Sequence, residues 1–171
     1  ALQQLIRLRL EQAGQLRQAE PAGRSPWEIL AQPFEPDVSK TRLEHLFAPL
    51  KQHLPPLLNQ VMATKHSAAA APDISPALQD QLCADLLQSW GYDRQRCHVS
   101  RSAHPFSCTL GPHDFRITTR VDDGQPFSCF LAAAHEWGHS LYEQGLPRDQ
   151  PQAFPWPLGD ATSMGVHESQ S

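Results

Sequence analysis

QPFSCFLAAAHEWGHSLYEQ, residues 125–144, is the stretch whose reading decides the fold. Gly145 and Pro147 close it, and its run of helix formers predicts a helix over 125–145. Inside it, His135-Glu136-Trp137-Gly138-His139 separates two histidines by four residues. On a helix that spacing sets both imidazoles on one face, one turn apart, within reach of a single cation. Glu136 projects about 100° around the axis from His135, so it flanks the ion instead of ligating it. That is the place for a base that takes a proton from water. On this chain's composition the pattern arises by chance in about 2% of shuffled sequences, so two surface histidines matching by accident is the weaker reading. Phe127, Phe130, Leu131, Ala134, Leu141 and Tyr142 are available to bury the helix's other faces.

Two histidines do not fill a metal's coordination sphere. A Gly at 142 and a His at 145 would extend the motif, but those positions hold Tyr142 and Gly145. Glu143 keeps the four-residue spacing, yet lies about 12 Å along the axis from His135, too far for bonds of about 2 Å to one ion. It reads as a solvated residue of the helix end. The remaining carboxylates are Asp149 in a Pro-flanked loop, Asp160 with the look of a helix cap, and Glu168. Glu168 is favoured, because it lies a full turn into a last helix that starts near Asp160 or Ser163 and can be aimed back at the first.

Upstream, residues 97–121 include HVSRSAHPFSCTLGPHDFRITTRV, rich in β-branched and aromatic residues with Gly111-Pro112 at its middle. Two short antiparallel strands are expected there. His104 falls on the first of them, before Pro105. Asp114 and Arg116 alternate onto one face of the second, placed to pair with each other or to support the metal helix from behind its ligands, a supporting role being favoured over a catalytic one.

Residues 1–95 read as helices. Leu2, Leu5, Ile6, Leu10 and Leu16 give the first, broken by Pro21-Ala22-Gly23. Ser25-Pro26-Trp27-Glu28 joins a capping Ser, Pro at the first helical position and Glu three residues after the cap. The short helix it opens ends near Ala31. A third helix starts after Ser39, its apolar face running from Leu43 through Leu46, Phe47, Leu50, Leu54, Leu57 and Leu58 to Val61. That face reads as ordinary core, and Pro55-Pro56 should kink or interrupt it. After an Ala/Pro linker at 68–72, Ser75-Pro76 opens a fourth helix, with Leu78, Leu82, Leu86 and Trp90 facing inward and Gly91 ending it. Trp27, Trp90 and Trp156 read as packing, and His45, His53, His66, His98 and His113 as surface residues.

With 171 residues, 40% hydrophobic and 19% charged, the chain has the composition of one folded domain. A formal charge of −4 leaves no basic surface of the kind nucleic acid needs. No apolar run reaches the roughly 18 residues of a membrane span. Cysteines at 83, 97, 108 and 129 form no C-x-x-C pair, and idle thiols in a reducing, cytoplasmic compartment are expected. The chain opens at Ala1 inside a helical pattern and stops at Ser171 just past a motif, so both ends read as cuts. The fold class expected is therefore mainly α with a small antiparallel sheet: a zincin-like HExxH helix, a following helix from 159 to 171 carrying the third ligand, and a single, partial catalytic domain.

HEWGHSLYEQGLP (135–147) followed by GDATSMGVHESQS (159–171) resembles the carboxypeptidase Taq family of metallocarboxypeptidases. The family's HPF and DxRxT motifs are matched by His104-Pro105-Phe106 and Asp114-Phe115-Arg116-Ile117-Thr118, and FEPDVSKTRLEHLF (34–47) is similar too. The resemblance implies Glu168, of His167-Glu168-Ser169-Gln170, as the third ligand. It also implies a substrate-lining role for His104 and a homodimer. His167, beside Glu168 but pointing elsewhere on the helix, reads equally as support for the ligands or as a buried hydrogen-bonding residue. Asp160, Thr162 and Val166 stand where the family pattern has Glu, Arg and Ile. Family members also carry helices before the equivalent of Ala1, and after Ser171 an Arg-bearing motif and one ending in His-Trp. These are implied to anchor the substrate carboxylate.

The expected activity is hydrolysis of C-terminal residues from peptides, with zinc (cobalt also suits two His and a carboxylate) held by His135, His139 and Glu168, and Glu136 as base. The alternatives are a truncated chain that binds metal or only folds, without turnover, and an endopeptidase or oligopeptidase built on the same site.

Overall fold

A computed structural model describes residues 1–19, 23–64, 72–122, 124–147, 154 and 156–171. The chain divides into two compact units, Ala1–Ser67 and Ala68–Ser171.

In the first unit, α1 (Leu2–Leu16) runs on into a short 3-10 turn, Arg17–Ala19. The break expected at Pro21-Ala22 lies outside the described residues. Helix α2 (Pro26–Ala31) opens on a complete capping box. Ser25 Oγ accepts from Glu28 N, and Glu28 returns a bond to Ser25 N at 2.7 Å. The other Glu28 oxygen accepts from Lys40 N at 2.8 Å, so one carboxylate ties together the starts of α2 and α3 (Lys40–Ala63). Two backbone donors, Ser25 N and Lys40 N, converge on this side chain and hold its pKa down at about 2.

The third helix departs from expectation twice. It continues as one α-helix through Pro49, Pro55 and Pro56. None of its residues is buried, so water can satisfy the carbonyls that lose a partner to each proline. Its leucine face is not core: Leu46, Phe47, Leu50, Leu54, Leu57, Leu58 and Val61 are all exposed. Ala13, Ile29 and Val38 are the buried apolar residues of this unit among those described.

The second unit positions the site. Helix α4 (Pro76–Ser89) is capped by Ser75, and Gly91 follows it at φ +82°, a left-handed position suited to glycine. Its buried stripe is Gln79, Cys83 and Leu87, one position on from the leucines expected. Leu78, Leu82 and Trp90 are exposed and Leu86 is half-buried. Gln79 can face inward because its amide donates to the Ile74 carbonyl at 2.9 Å.

Strands β1 (Cys97–Arg101), β2 (Ser107–Gly111) and β3 (Asp114–Thr119) form a mixed sheet in the order β1-β3-β2. The antiparallel expectation holds for β2 and β3, but β1 pairs parallel to β3 with Cys97 opposite Phe115. Parallel pairing follows because the chain leaves β1, returns as β2 and turns into β3, which inserts between them. Thr118 fixes that crossing: its hydroxyl meets Ser102 Oγ at 2.6 Å and accepts from Phe106 N at 2.9 Å.

Helix α5 (Ser128–Gly145) packs against α4 and the sheet. Trp137 is 1% exposed and joins Leu87, Cys97, Phe115 and Ile117 in one cluster. Cys83, Cys129 and Ala133 form a second, with Val121 and Phe130 against it. The faces expected to be covered by Phe127, Leu131 and Leu141 are exposed instead. Helix α6 (Met164–Ser169) is capped by Ser163, whose hydroxyl accepts from Val166 N at 3.0 Å. All four cysteines are free thiols. No described helix is long and apolar enough to cross a membrane.

Candidate metal centre

His135 and His139 project from successive turns of α5, their rings edge-on with centroids 4.7 Å apart. Glu168 comes from α6. One ligand atom from each of His135, His139 and Glu168 lies within 4.8 Å of the other two. His139 Nε2 stands 3.6 Å from Glu168 Oε2, close to the edge of about 3.4 Å expected between ligands of a tetrahedral zinc. Two imidazoles and a carboxylate suit a borderline divalent cation, so the donor set fits the ion that the sequence implies.

Helix α6 reaches α5 through a gap in the latter's side chains. A Cβ built on Gly138 would stand 2.1 Å from the Gln170 carbonyl oxygen and 2.7 Å from Ser171 Cα. Glycine at 138 is therefore required by the close approach of another backbone.

Glu136 is 6% exposed and His139 8%, while His135 is exposed. His167 meets His139 Nδ1-to-Nδ1 at 2.7 Å, and its Nε2 lies 3.0 Å from Glu143 Oε1. Glu143 is thus not the solvated helix-end residue expected; its side chain is 16% exposed. A cleft of about 570 Å³ runs along this cluster, with Ser107, Cys108 and Thr109 of β2 on one wall. A larger cavity, about 670 Å³, lies between α4 and β1 and contains none of the ligand residues.

The other expected residues are placed elsewhere. His104 is exposed in the bend between β1 and β2, not on a strand, and its carbonyl accepts from Ser102 Oγ at 2.6 Å. Asp114 and Arg116 pair with each other through two bonds of 2.8 Å, which hold the carboxyl below and the guanidinium above their ordinary pKa values. It is their alternates, Phe115 and Ile117, that are buried with Trp137 of α5. Asp160 ends a 3-10 turn, Pro157–Gly159, and does not cap α6. Asp149 lies outside the described residues. Gly138 does carry a signal in the sequence: an interior helix glycine, which costs about 1 kcal/mol against alanine, marks a close approach.

This combination of a small sheet, a histidine-bearing helix and a carboxylate returning from a second helix belongs to the metallopeptidases, and the comparisons with known proteins agree. The family model described as carboxypeptidase Taq (M32) metallopeptidase matches residues 1–171, and the chain belongs to that family. It is 35% identical to thermostable carboxypeptidase 1 of Thermus thermophilus over 99% of its own length and 34% of that protein's. Carboxypeptidase 1 of Bacillus subtilis is 36% identical, covering 85% of this chain and 29% of that one. Among solved structures, the M32 carboxypeptidase of Deinococcus radiodurans matches with a TM-score of 0.81 and 31% identity, over 99% of this chain and 33% of that one. Metallocarboxypeptidase 1 of Trypanosoma cruzi matches with a TM-score of 0.78 and 28% identity, over 98% and 35%. The chain thus spans about a third of the length of the relatives it matches. A divalent metal is implied by the family.

Proposed function

We propose that this chain carries the metal centre of a metallocarboxypeptidase, with zinc held by His135, His139 and Glu168 and with Glu136 as general base. The supporting observation is the convergence of those ligand atoms, from two helices, within 4.8 Å of one another. When bound, the ion supplies Lewis acidity at the scissile carbonyl and lowers the pKa of water. Glu136, next to His135 on α5 and almost fully buried, takes the proton of the attacking water and passes it to the leaving amine. His104 contributes a polar contact to the peptide, as the resemblance implies, and the Asp114–Arg116 pair braces β3.

Glu136→Gln should retain zinc and lower kcat/KM on peptides by about 10²–10⁴-fold. Normal turnover by that variant would overturn the assignment. An amino-blocked peptide should lose its C-terminal residue, whereas internal products would indicate an endopeptidase on the same site. Running the assay on both the 171-residue chain and a full-length relative separates turnover from metal binding alone.

A further inference from the structure

His139 has two ring nitrogens, and the structure gives each a different neighbour. Nε2 faces Glu168 at 3.6 Å. Nδ1 faces another imidazole nitrogen, Nδ1 of His167, at 2.7 Å. At that distance one nitrogen must carry the shared proton and the other must accept it. The remaining nitrogen of His167, Nε2, lies 3.0 Å from Glu143 Oε1. Tyr142 packs edge-on against the His167 ring, with centroids 4.9 Å apart, and the side chains of His167 and Glu143 are only 15% and 16% exposed.

We propose that Glu143 and His167 are positioning residues that fix the tautomer and ring orientation of His139 for cation binding. The inference rests on the reading of His139 as a ligand through Nε2. A ligating imidazole must offer its lone pair, so the proton of His139 sits on Nδ1 and is donated to His167 Nδ1. His167 Nδ1 is then bare, and its own proton lies on Nε2, donated to Glu143. Both bonds point the same way, toward the carboxylate. A carboxylate so connected makes His139 a more basic ligand and prevents the ring from flipping. The axial distance that keeps Glu143 from the ion is bridged by the ring of a residue on the other helix. His167 thereby makes α6 contribute twice, once through the ligand Glu168 and once through its neighbour.

The test uses the full chain with zinc or cobalt(II) alone. In zinc-loaded protein labelled with ¹⁵N-histidine, His139 should show a protonated Nδ1 and His167 a protonated Nε2 with a bare Nδ1. A proton on His167 Nδ1 would overturn the proposal, and this readout needs no variant. His167→Leu and Glu143→Leu should each weaken zinc binding by about 10–100-fold and alter the cobalt(II) visible spectrum. Glu143→Gln, which keeps an acceptor for His167, should recover part of that loss. Unchanged affinity and spectrum in His167→Leu, while His139→Ala abolishes binding, would reject the relay and leave the ligand assignment standing. Unchanged binding in His139→Ala would instead reject the ligand assignment.

Discussion

The carbonyl of Gln170 lies directly over Gly138, so close that a methyl group there would approach its oxygen to 2.1 Å. Alanine at 138 improves the intrinsic helix propensity of α5 by about 1 kcal/mol. The obstructing atoms are backbone, which a side-chain rotation cannot clear. Helix α6 is six residues long with no fully buried residue, and it is tied to α5 by the polar contacts of His167, so it should shift before α5 unfolds. Gly138→Ala is therefore expected to leave the urea midpoint unchanged or slightly raised and to weaken zinc binding at least 10-fold, the effect of about 1.4 kcal/mol lost at the site. Competition with a chromophoric chelator measures the affinity, and an unchanged value would refute the packing argument.

Trp137 is the largest fully buried side chain described and lies between the sheet and α4. Its indole N–H donates to the Trp90 carbonyl at 3.3 Å. Truncation to alanine removes the centre of the cluster and should cost about 3–5 kcal/mol, read as a lower urea midpoint. A loss below about 1 kcal/mol would mean that the cluster is not the stabilising core of this unit.

Glu28 sets a pH dependence in the first unit. Its folded pKa is depressed, from 4.5 to about 2. The unfolded chain therefore binds the proton more tightly, and protonation favours unfolding. The contribution is complete above about pH 4.5 and is lost as pH falls toward 2. Denaturation of wild type and Glu28→Gln across that window should give a shallower pH dependence for the variant. Parallel curves would remove Glu28 as a source of acid lability.

Thiol reactivity should sort by burial. Cys83, Cys97 and Cys129 are buried, and Cys108 is half-buried on the cleft wall. Burial, reinforced by Cys129 at 2.9 Å, pushes the Cys83 thiol far above its usual range, so almost no thiolate is available. Iodoacetamide should label Cys108 first in the native protein and the other three only on unfolding, as mass spectrometry would show.

What the sequence made legible was what local spacing encodes. The caps at Ser25, Ser39 and Ser75 and the start of α6 at Ser163 follow from side chains bonding their own backbone a few positions on. So does the meeting of His135 and His139 on one helix face. The partners set by distant chain segments were less accessible. The parallel β1–β3 pair depends on which strand inserts between two others, and strand-like composition carries no such information. The α4 stripe is hidden from residue type alone, because Gln79 is polar and turns inward only through its bond to Ile74. Distance along a single helix separates Glu143 from the ligands, whereas its connection runs through His167 of another helix.

The three proposed ligands sit at different depths, and that difference sets an order of departure. His139 is 8% exposed, whereas the Glu168 side chain is 57% exposed on a six-residue helix. A chelator arriving from solvent can reach Glu168 and His135, both exposed, but of the two only Glu168 stands on a short helix that can be lifted away. With Glu168 away, His135 and His139 of α5 would be the two remaining donors, a weaker site for a cation. Release of metal should therefore be stepwise, its rate governed by how often α6 swings out and not by the unfolding of the helix that holds the histidines.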